Sequence, residues 1–367
     1  MKILFLSNSI GGLRAFRYEL ISALCMRGDT IFISSPIESS TDCFKQLGCK
    51  IIPTKMSQRG INPFSELMIL KQYKQILQSI KPDIVLSYTI KPNIYGGVAC
   101  RKLHIPLISS ITGLGIAVEN KGLLQKITII LYRWGMKKTN FVYFQNQDSM
   151  IFFNNHNIKL TAKSLIAGSG VNLDKFTYTE YPTTDNSIHF LFISRILGTK
   201  GIAQYLEAAK YHKKLHPETH FHIVGIRDDK YYSKIIDQLH EEGIIEYHGQ
   251  QLDVRPYIAK SHCLIHPTFY PEGLSNVLLE NAAMGRPAIT TDKSGCREVV
   301  DDNITGFIVK QRDSQDLIKK IEQFINLPLE RKSAMGLAAY NKVSQLFDRK
   351  KVVTQYINKI DELHSIS

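Results

Sequence analysis

Short β-rich runs alternate with helix-length segments along almost the whole chain, and the alternation is played through twice. KILFLSN (2–8) reads as a buried strand, Arg14–Met26 as a helix, and TIFISSP (30–36) and KIIPTK (50–55) as strands. Phe64–Ser79 has helical spacing, after which DIVLSYT (83–89), PLISSIT (106–112), FVYFQN (141–146) and SLIAGSG (164–170) return to strand. Parallel strands need long crossover connections, and the intervening segments supply them. The pattern therefore predicts a parallel, doubly wound sheet.

The alternation breaks at YTEYPTTDN (178–186), a polar, turn-rich stretch that reads as a linker. It restarts with HFLFISR (189–195), a helix from about Gly201, THFHIVG (219–225), HCLIHPT (262–268), PAITTD (287–292) and GFIVK (306–310). Ile202, Tyr205, Leu206 and Ala209 fall on one face of that helix. A chain of 367 residues exceeds one ordinary core. The expected organisation is an α/β protein of two Rossmann-like lobes, 1–177 and 187–345, with a terminal helix in 346–367 returning to the first. Two such lobes facing each other leave a cleft between their carboxyl edges, where open α/β sheets bind ligands.

Charge separates the halves. Of a net +13, residues 1–180 carry 22 Lys/Arg against 10 Asp/Glu, whereas residues 181–367 carry 24 against 23. A basic first half calls for an anionic partner: lipid headgroups, a diphosphate-bearing substrate or nucleic acid. Six scattered cysteines show no metal or redox spacing and read as free thiols in a reducing cytoplasm. No signal peptide and no membrane-spanning run is legible, so the expected location is cytoplasmic, peripheral at the inner membrane face.

The chemistry-bearing residues cluster at strand ends. Arg195 and Lys200 lie in SRILGTKG (194–201), between a strand and a helix, where two cations beside helix-start amides suit a diphosphate. In PEGLSNVLLENAAMGRP (271–287), Glu272 sits in a loop beside Gly273, Leu274 and Ser275. Glu280 sits in the following helix, which Ser275 is expected to cap and Gly285 to end. A carboxylate accepts two hydrogen bonds side by side and fits a vicinal diol such as ribose. By itself Glu272 reads as a solvated loop acid and Glu280 as an acid in the first turns complementing the helix dipole; the spacing together with Arg195 and Lys200 favours a site. Gly11-Gly12 follows the first strand but lacks the G-x-G-x-x-G spacing.

Other features carry less. Twelve histidines include His220 and His222 on one strand, without HExxH or a His/Cys cluster, so no metal site is expected. Asp228-Asp229 and Asp301-Asp302 read as solvated turns. KGLLQKITIILYRWGMKK (121–138) fits both a basic amphipathic helix lying on an anionic bilayer and a core helix with a cationic edge.

Taken with YTIKPNIYGG (88–97), ITGLGIA (111–117), FQNQD (144–148), AGSGVNLDKF (167–176) and GCREVVDDNITGFIV (295–309), these motifs resemble glycosyltransferase family 4 over nearly the whole chain. Its bacterial capsule and O-antigen enzymes are the nearest in kind. The resemblance implies the GT-B fold and metal-independent, retaining transfer from a nucleotide-diphosphate sugar, UDP being the expected nucleotide, with no cofactor. It implies that Arg195 and Lys200 neutralise the donor diphosphate, Glu280 holds the ribose and Glu272 contacts sugar hydroxyls. The amides of Gly273, Leu274 and Ser275 would reach phosphate and sugar, and Gly11 and Gly12 would close over the diphosphate. On the acceptor side it points to Arg14, Tyr88, Lys91 and Gly113. Some relatives have a His in the segment occupied by Tyr88-Thr89-Ile90-Lys91, and this chain has none, so Tyr88 or Lys91 is the candidate replacement.

The expected reaction moves a hexose or N-acetylhexosamine onto a polyprenyl-diphosphate-linked saccharide. Preorganised cations would stabilise the leaving diphosphate as an oxyanion site does. A sugar-nucleotide epimerase of the same architecture is the second enzyme class, and a non-catalytic basic membrane or nucleic-acid module the third. Nucleic acid is disfavoured because no stacking aromatics interleave with the charge.

Overall fold

The computed structural model describes residues 1–56, 63–119, 121–183 and 187–366. The chain forms two compact units, residues 1–169 with 350–367 and residues 170–349. In the first, β1 (Lys2–Leu6), β2 (Thr30–Ser35), β3 (Lys50–Pro53), β4 (Ile84–Tyr88), β5 (Leu107–Ile111), β6 (Phe141–Phe144) and β7 (Lys163–Leu165) make a parallel sheet of order β3-β2-β1-β4-β5-β6-β7. The strand order reverses between β1 and β4. Both sheet faces are covered, which is why the strands are apolar throughout rather than alternating. Ile3 and Phe5 pack under the helices Ile10–Phe16 and Tyr18–Met26, while Leu4 and Leu6 pack under Pro63–Ile80 and Leu123–Gly135.

The expected helix Arg14–Met26 is two helices, broken at Arg17 (φ −137°, ψ 4°). The cause is the burial of its guanidinium, which lies 4.8 Å from the Tyr88 ring centre and 5.4 Å from that of Tyr356. Tyr356 belongs to the terminal helix Arg349–Ile366, which belongs to the first unit from Lys350 onward. There its hydroxyl meets Ser110 Oγ at 2.6 Å.

In the second unit, β8 (Ile188–Ile193), β9 (Thr219–Val224), β10 (Glu246–Tyr247), β11 (Cys263–His266), β12 (Ala288–Thr291) and β13 (Gly306–Val309) form a parallel sheet of order β10-β9-β8-β11-β12-β13. Its reversal falls between β8 and β11. The two-residue β10 was not foreseen from the sequence.

The unit boundary lies at Ser169–Gly170, not in the stretch 178–186 read as a linker. Residues 178–183 are anchored in the second unit, and 184–186 lie outside the described residues. The anchor is the buried Arg286: Nη1 donates to Thr179 O and Met284 O, both at 2.9 Å, and Nη2 to Thr179 Oγ1 at 2.9 Å and to Glu180 O and Ala259 O at 2.8 Å. In the acidic pairs Asp228, Asp301 and Asp302 are exposed, as the solvated-turn reading expects, and each carboxylate makes a local contact. Asp229 caps the helix Lys230–Glu241, Asp228 pairs with Arg195, Asp301 pairs with Lys342, and Asp302 accepts from Ile308 N–H.

Candidate functional site

Both reversals in strand order place the predicted residues at carboxyl ends of strands, where neighbouring connections run to opposite faces and leave a crevice. In the second unit Arg195 and Lys200 follow β8, and Glu272 follows its neighbour β11. A short 3-10 turn, Gly198–Lys200, leads into the helix Ile202–Leu215. Phe269 N–H and Thr268 Oγ1 donate to Thr199 O at 3.0 and 3.3 Å, tying the two loops together. Gly201 makes this possible. It has φ +79°, and a Cβ there would lie 2.1 Å from Pro267 O.

The ammonium of Lys200 is thereby delivered to Glu272, with which it forms a largely buried ion pair, and lies 4.6 Å from the centre of the Tyr270 ring. Burial pushes the Glu272 carboxyl up, but the attraction of Lys200, His266 and Arg195 outweighs it and leaves the pKa below its ordinary value. His266, at the end of β11, is pushed down to about 4, chiefly by burial, so it is neutral at pH 7. Its Nε2 meets Ser275 Oγ at 3.2 Å. No sequence signal singled out His266. Arg195 is more exposed and pairs with Asp228 at 3.2 Å.

Ser275 does precede the helix Asn276–Ala283, but its hydroxyl goes to His266 instead of capping the helix. Its N–H donates to Gly295 O at 2.8 Å, so this loop amide is committed within the unit. Gly295 (φ +92°) lets that loop press on Gly273, whose carbonyl would lie 2.9 Å from an added Cβ. Leu274 is buried and anchors the turn. Glu280 is half-buried in the helix. Burial raises its pKa to about 7, against the opposing pull of Arg349 and Lys175.

In the first unit Gly11 and Gly12 lie within the first turn of the helix Ile10–Phe16, not in a loop before it. Ser9 Oγ accepts from Gly12 N–H at 3.0 Å. Neither glycine has a positive φ, and added Cβ atoms would meet nothing closer than 3.4 Å. Helical glycine is unfavourable by about 1 kcal/mol relative to alanine, and the unit itself supplies no reason for it. Arg14 is exposed on the same helix, and Gly113, just after β5, has φ +119°.

Tyr88 and Lys91, the candidate replacements for the family's histidine, both have partners within the unit. The Tyr88 ring is buried at the end of β4, 6.2 Å from Phe5, and Lys91 is paired with Glu66 at 2.7 Å. Between them lies a residue that sequence reasoning passed over. Thr89, directly after β4, has φ +75°, and its hydroxyl is buried without a hydrogen-bond partner. A β-branched residue in that region carries strain of about 1–3 kcal/mol, and such strain collects at functional positions.

The fold brings together histidines that no sequence motif groups. His222, Glu246 and His248 converge, as do His212, His216 and Glu322. The i, i+4 spacing of His212 and His216 in the predicted helix was the available signal for the second group.

The helix within 121–138 has one buried face and one exposed face with a cationic edge. Over Leu123–Gly135 it buries Ile129 and Tyr132, while Leu123, Ile127, Ile130 and Trp134 form an exposed stripe flanked by Lys121, Lys126, Arg133, Lys137 and Lys138. Gly97 and Gly135 let it lie close, since a Cβ on Gly97 would fall 2.4 Å from Gly135 O. On the same side of the sheet, Phe64, Leu67 and Met68 are exposed on Pro63–Ile80. Among the described residues, no helix is long and apolar enough to cross a membrane.

Comparison with known proteins agrees with this layout. The model of the glycosyl transferases group 1 matches residues 178–342, and that of the glycosyl transferase 4-like domain matches 2–146. Together they take in most of both units. The chain belongs to the glycosyltransferases.

Its fold is GT-B. A glycosyltransferase from Rickettsia africae superposes with a TM-score of 0.80 at 20% identity, covering 100% of this chain and 99% of its own. Anabaena HepE in complex with UDP gives a TM-score of 0.80 at 17%, covering 99% and 100%. Among curated relatives is the N,N'-diacetylbacillosaminyl-diphospho-undecaprenol alpha-1,3-N-acetylgalactosaminyltransferase of Campylobacter jejuni, 26% identical over 93% of this chain and 95% of its own. An Escherichia coli UDP-Gal:alpha-D-GlcNAc-diphosphoundecaprenol alpha-1,3-galactosyltransferase is 25% identical over 73% and 71%.

Proposed function

We propose that this glycosyltransferase moves a hexose or N-acetylhexosamine from a UDP-sugar to a polyprenyl-diphosphate-linked saccharide during surface-polysaccharide assembly, with retention and without a catalytic metal. The observation that carries the reading is the Lys200–Glu272 pair held at the strand-order reversal, with Arg195 and Glu280 in the flanking segments. Breaking the glycosyl–phosphate bond builds negative charge on the leaving diphosphate. Arg195 and Lys200 supply fixed positive charge for it, which favours the transition state over the ground state. Glu272, kept ionised, suits sugar hydroxyls, which can take over hydrogen bonds that the ammonium makes without them. Glu280 is assigned the ribose diol. The two helical glycines and the strained Thr89 support close approach of a ligand to the first unit. The two curated relatives named above act, by their names, on undecaprenyl-diphosphate-linked sugars, which supports the acceptor class. An acceptor of that kind is presented at a bilayer, and the basic, apolar-striped helix Leu123–Gly135 suits an anionic one.

The deciding experiment incubates the protein, in chelator, with a panel of UDP- and GDP-sugars and a short-chain polyprenyl-diphosphate N-acetylhexosamine, followed by mass spectrometry and NMR of the anomeric configuration. Transfer from one UDP-sugar with retention is expected, together with binding to anionic vesicles that weakens in salt. Epimer formation without acceptor would instead make the chain an epimerase. Equal binding of UDP and inorganic diphosphate would make it a charge-driven module.

A further inference from the structure

The helices Ile202–Leu215 and Ser314–Ile325 pack together in the second unit, and His212 lies between them, 0% exposed. Its Nε2 is 3.1 Å from Ile318 O. A carbonyl only accepts, so the ring proton is on Nε2 and Nδ1 presents a lone pair. That Nδ1 is buried, has no hydrogen-bond partner, and faces Glu322 Oε2 at 3.4 Å. Two acceptors therefore confront each other in the interior. The same carboxylate oxygen lies 3.0 Å from Nε2 of His216, one helical turn on.

We propose that His212 Nδ1, His216 Nε2 and Glu322 bind a borderline divalent cation, Zn²⁺ being the natural occupant. Donor atoms of one tetrahedral zinc ion, with bonds of about 2.0–2.1 Å, stand about 3.3 Å apart. The 3.0 and 3.4 Å separations match that spacing. Two imidazoles and one carboxylate favour zinc over magnesium or calcium. Each ligand also has an outer partner of the kind that metal sites use. His212 has Ile318 O, His216 Nδ1 has the Glu218 carboxylate at 3.5 Å, and Glu322 Oε1 accepts from Asn326 Nδ2 at 2.9 Å. Three ligands leave a fourth position for water, and the ion would pin together two helices that support the sheet.

The group His222–Glu246–His248 is the weaker candidate because its rings are satisfied among themselves. Ser187 Oγ meets His189 Nε2 at 3.2 Å, His189 Nδ1 meets His222 Nε2 at 2.9 Å, and His222 Nδ1 meets His248 Nε2 at 3.0 Å. Neutral imidazoles donating once and accepting once complete that chain without a metal.

The test is calorimetric titration of the chelator-treated full chain with ZnCl₂, with thermal unfolding alongside. One equivalent should bind and raise the Tm, and H216A and E322Q should each lower the affinity at least tenfold while H248A leaves it unchanged. E322Q keeps the side chain's size and one carbonyl acceptor for Asn326 while removing the anionic ligand, so it separates ligation from folding. Absence of a stoichiometric binding event overturns the assignment. So does binding that persists in H216A and E322Q, or that is lost only in H248A.

Discussion

Replacing Glu280 by Gln should remove a pH dependence from nucleotide binding. Its carboxyl titrates near 7, raised from 4.5 principally by burial. A ribose diol donates to both oxygens of the ionised form, whereas the protonated form offers a donor in place of one acceptor. With a pKa of about 7, roughly 3% is ionised at pH 5.5 and roughly 90% at pH 8, so the proposed contact predicts an affinity rise of about 30-fold, or ~2 kcal/mol. The assay is calorimetric titration with UDP across that range for both proteins. The ratio of the two affinities cancels ionisation of the ligand's own phosphate. Stability should move in the opposite direction. Between pH 4.5 and 7 the folded chain holds a proton that the unfolded chain has lost, so this group's contribution to stability falls as pH rises through that window. The variant lacks that loss, and relative to wild type it should gain on the order of 2–3 kcal/mol between pH 4.5 and 8. A ratio that stays flat with pH would refute the ribose assignment, and parallel stability curves would refute the burial argument beneath it.

Gly201→Ala should cost more than about 2 kcal/mol and depress kcat, because the new Cβ would meet Pro267 O in a left-handed backbone and displace Lys200; unfolding and kinetics read both. Arg286→Met should lower stability by on the order of 4 kcal/mol in urea unfolding, since it strands buried carbonyls of Thr179, Glu180, Met284 and Ala259. Thr89→Gly should leave stability within about 1 kcal/mol while kcat/KM drops, because glycine relieves the positive φ but removes the hydroxyl; full activity would reduce the strain to a local accident.

The sequence made the fold class legible because its strands, buried on both faces, are continuous apolar runs separated by crossover lengths. It misled at Arg17, where an uninterrupted helical pattern conceals a guanidinium turned into an aromatic nest that includes Tyr356, far away in sequence. It misled at 178–183 as well. A polar, turn-rich stretch looks like a linker, and the distant Arg286 that anchors it is visible only after folding. The candidate site was legible as residue types at strand ends, yet the contacts of Tyr88 and Lys91 are set by neighbours. Tyr88 belongs to the core and Lys91 to Glu66. Thr89 carried no signal because backbone strain at a threonine has no compositional mark.

The spacing of Glu272 and Glu280 hides the property that separates them. Both are acids on one loop–helix segment, and burial raises the pKa of each. Glu272 meets an ammonium that the turn after β8 delivers across the strand reversal, and the attraction outweighs desolvation. Glu280, two turns farther along, has Arg349 and Lys175 near enough to oppose burial but not to overcome it. Near neutral pH one carboxylate is a permanent charge and the other is poised between two states, and environments that divide a pair in this way also divide its tasks. The permanent charge can orient sugar hydroxyls at any working pH. The poised one is about half charged at pH 7, and on the ribose assignment proposed above a diol donating to it favours the charged form, so nucleotide occupancy and ionisation of Glu280 would reinforce each other, with close to one proton released on binding well below pH 7 and progressively less above it.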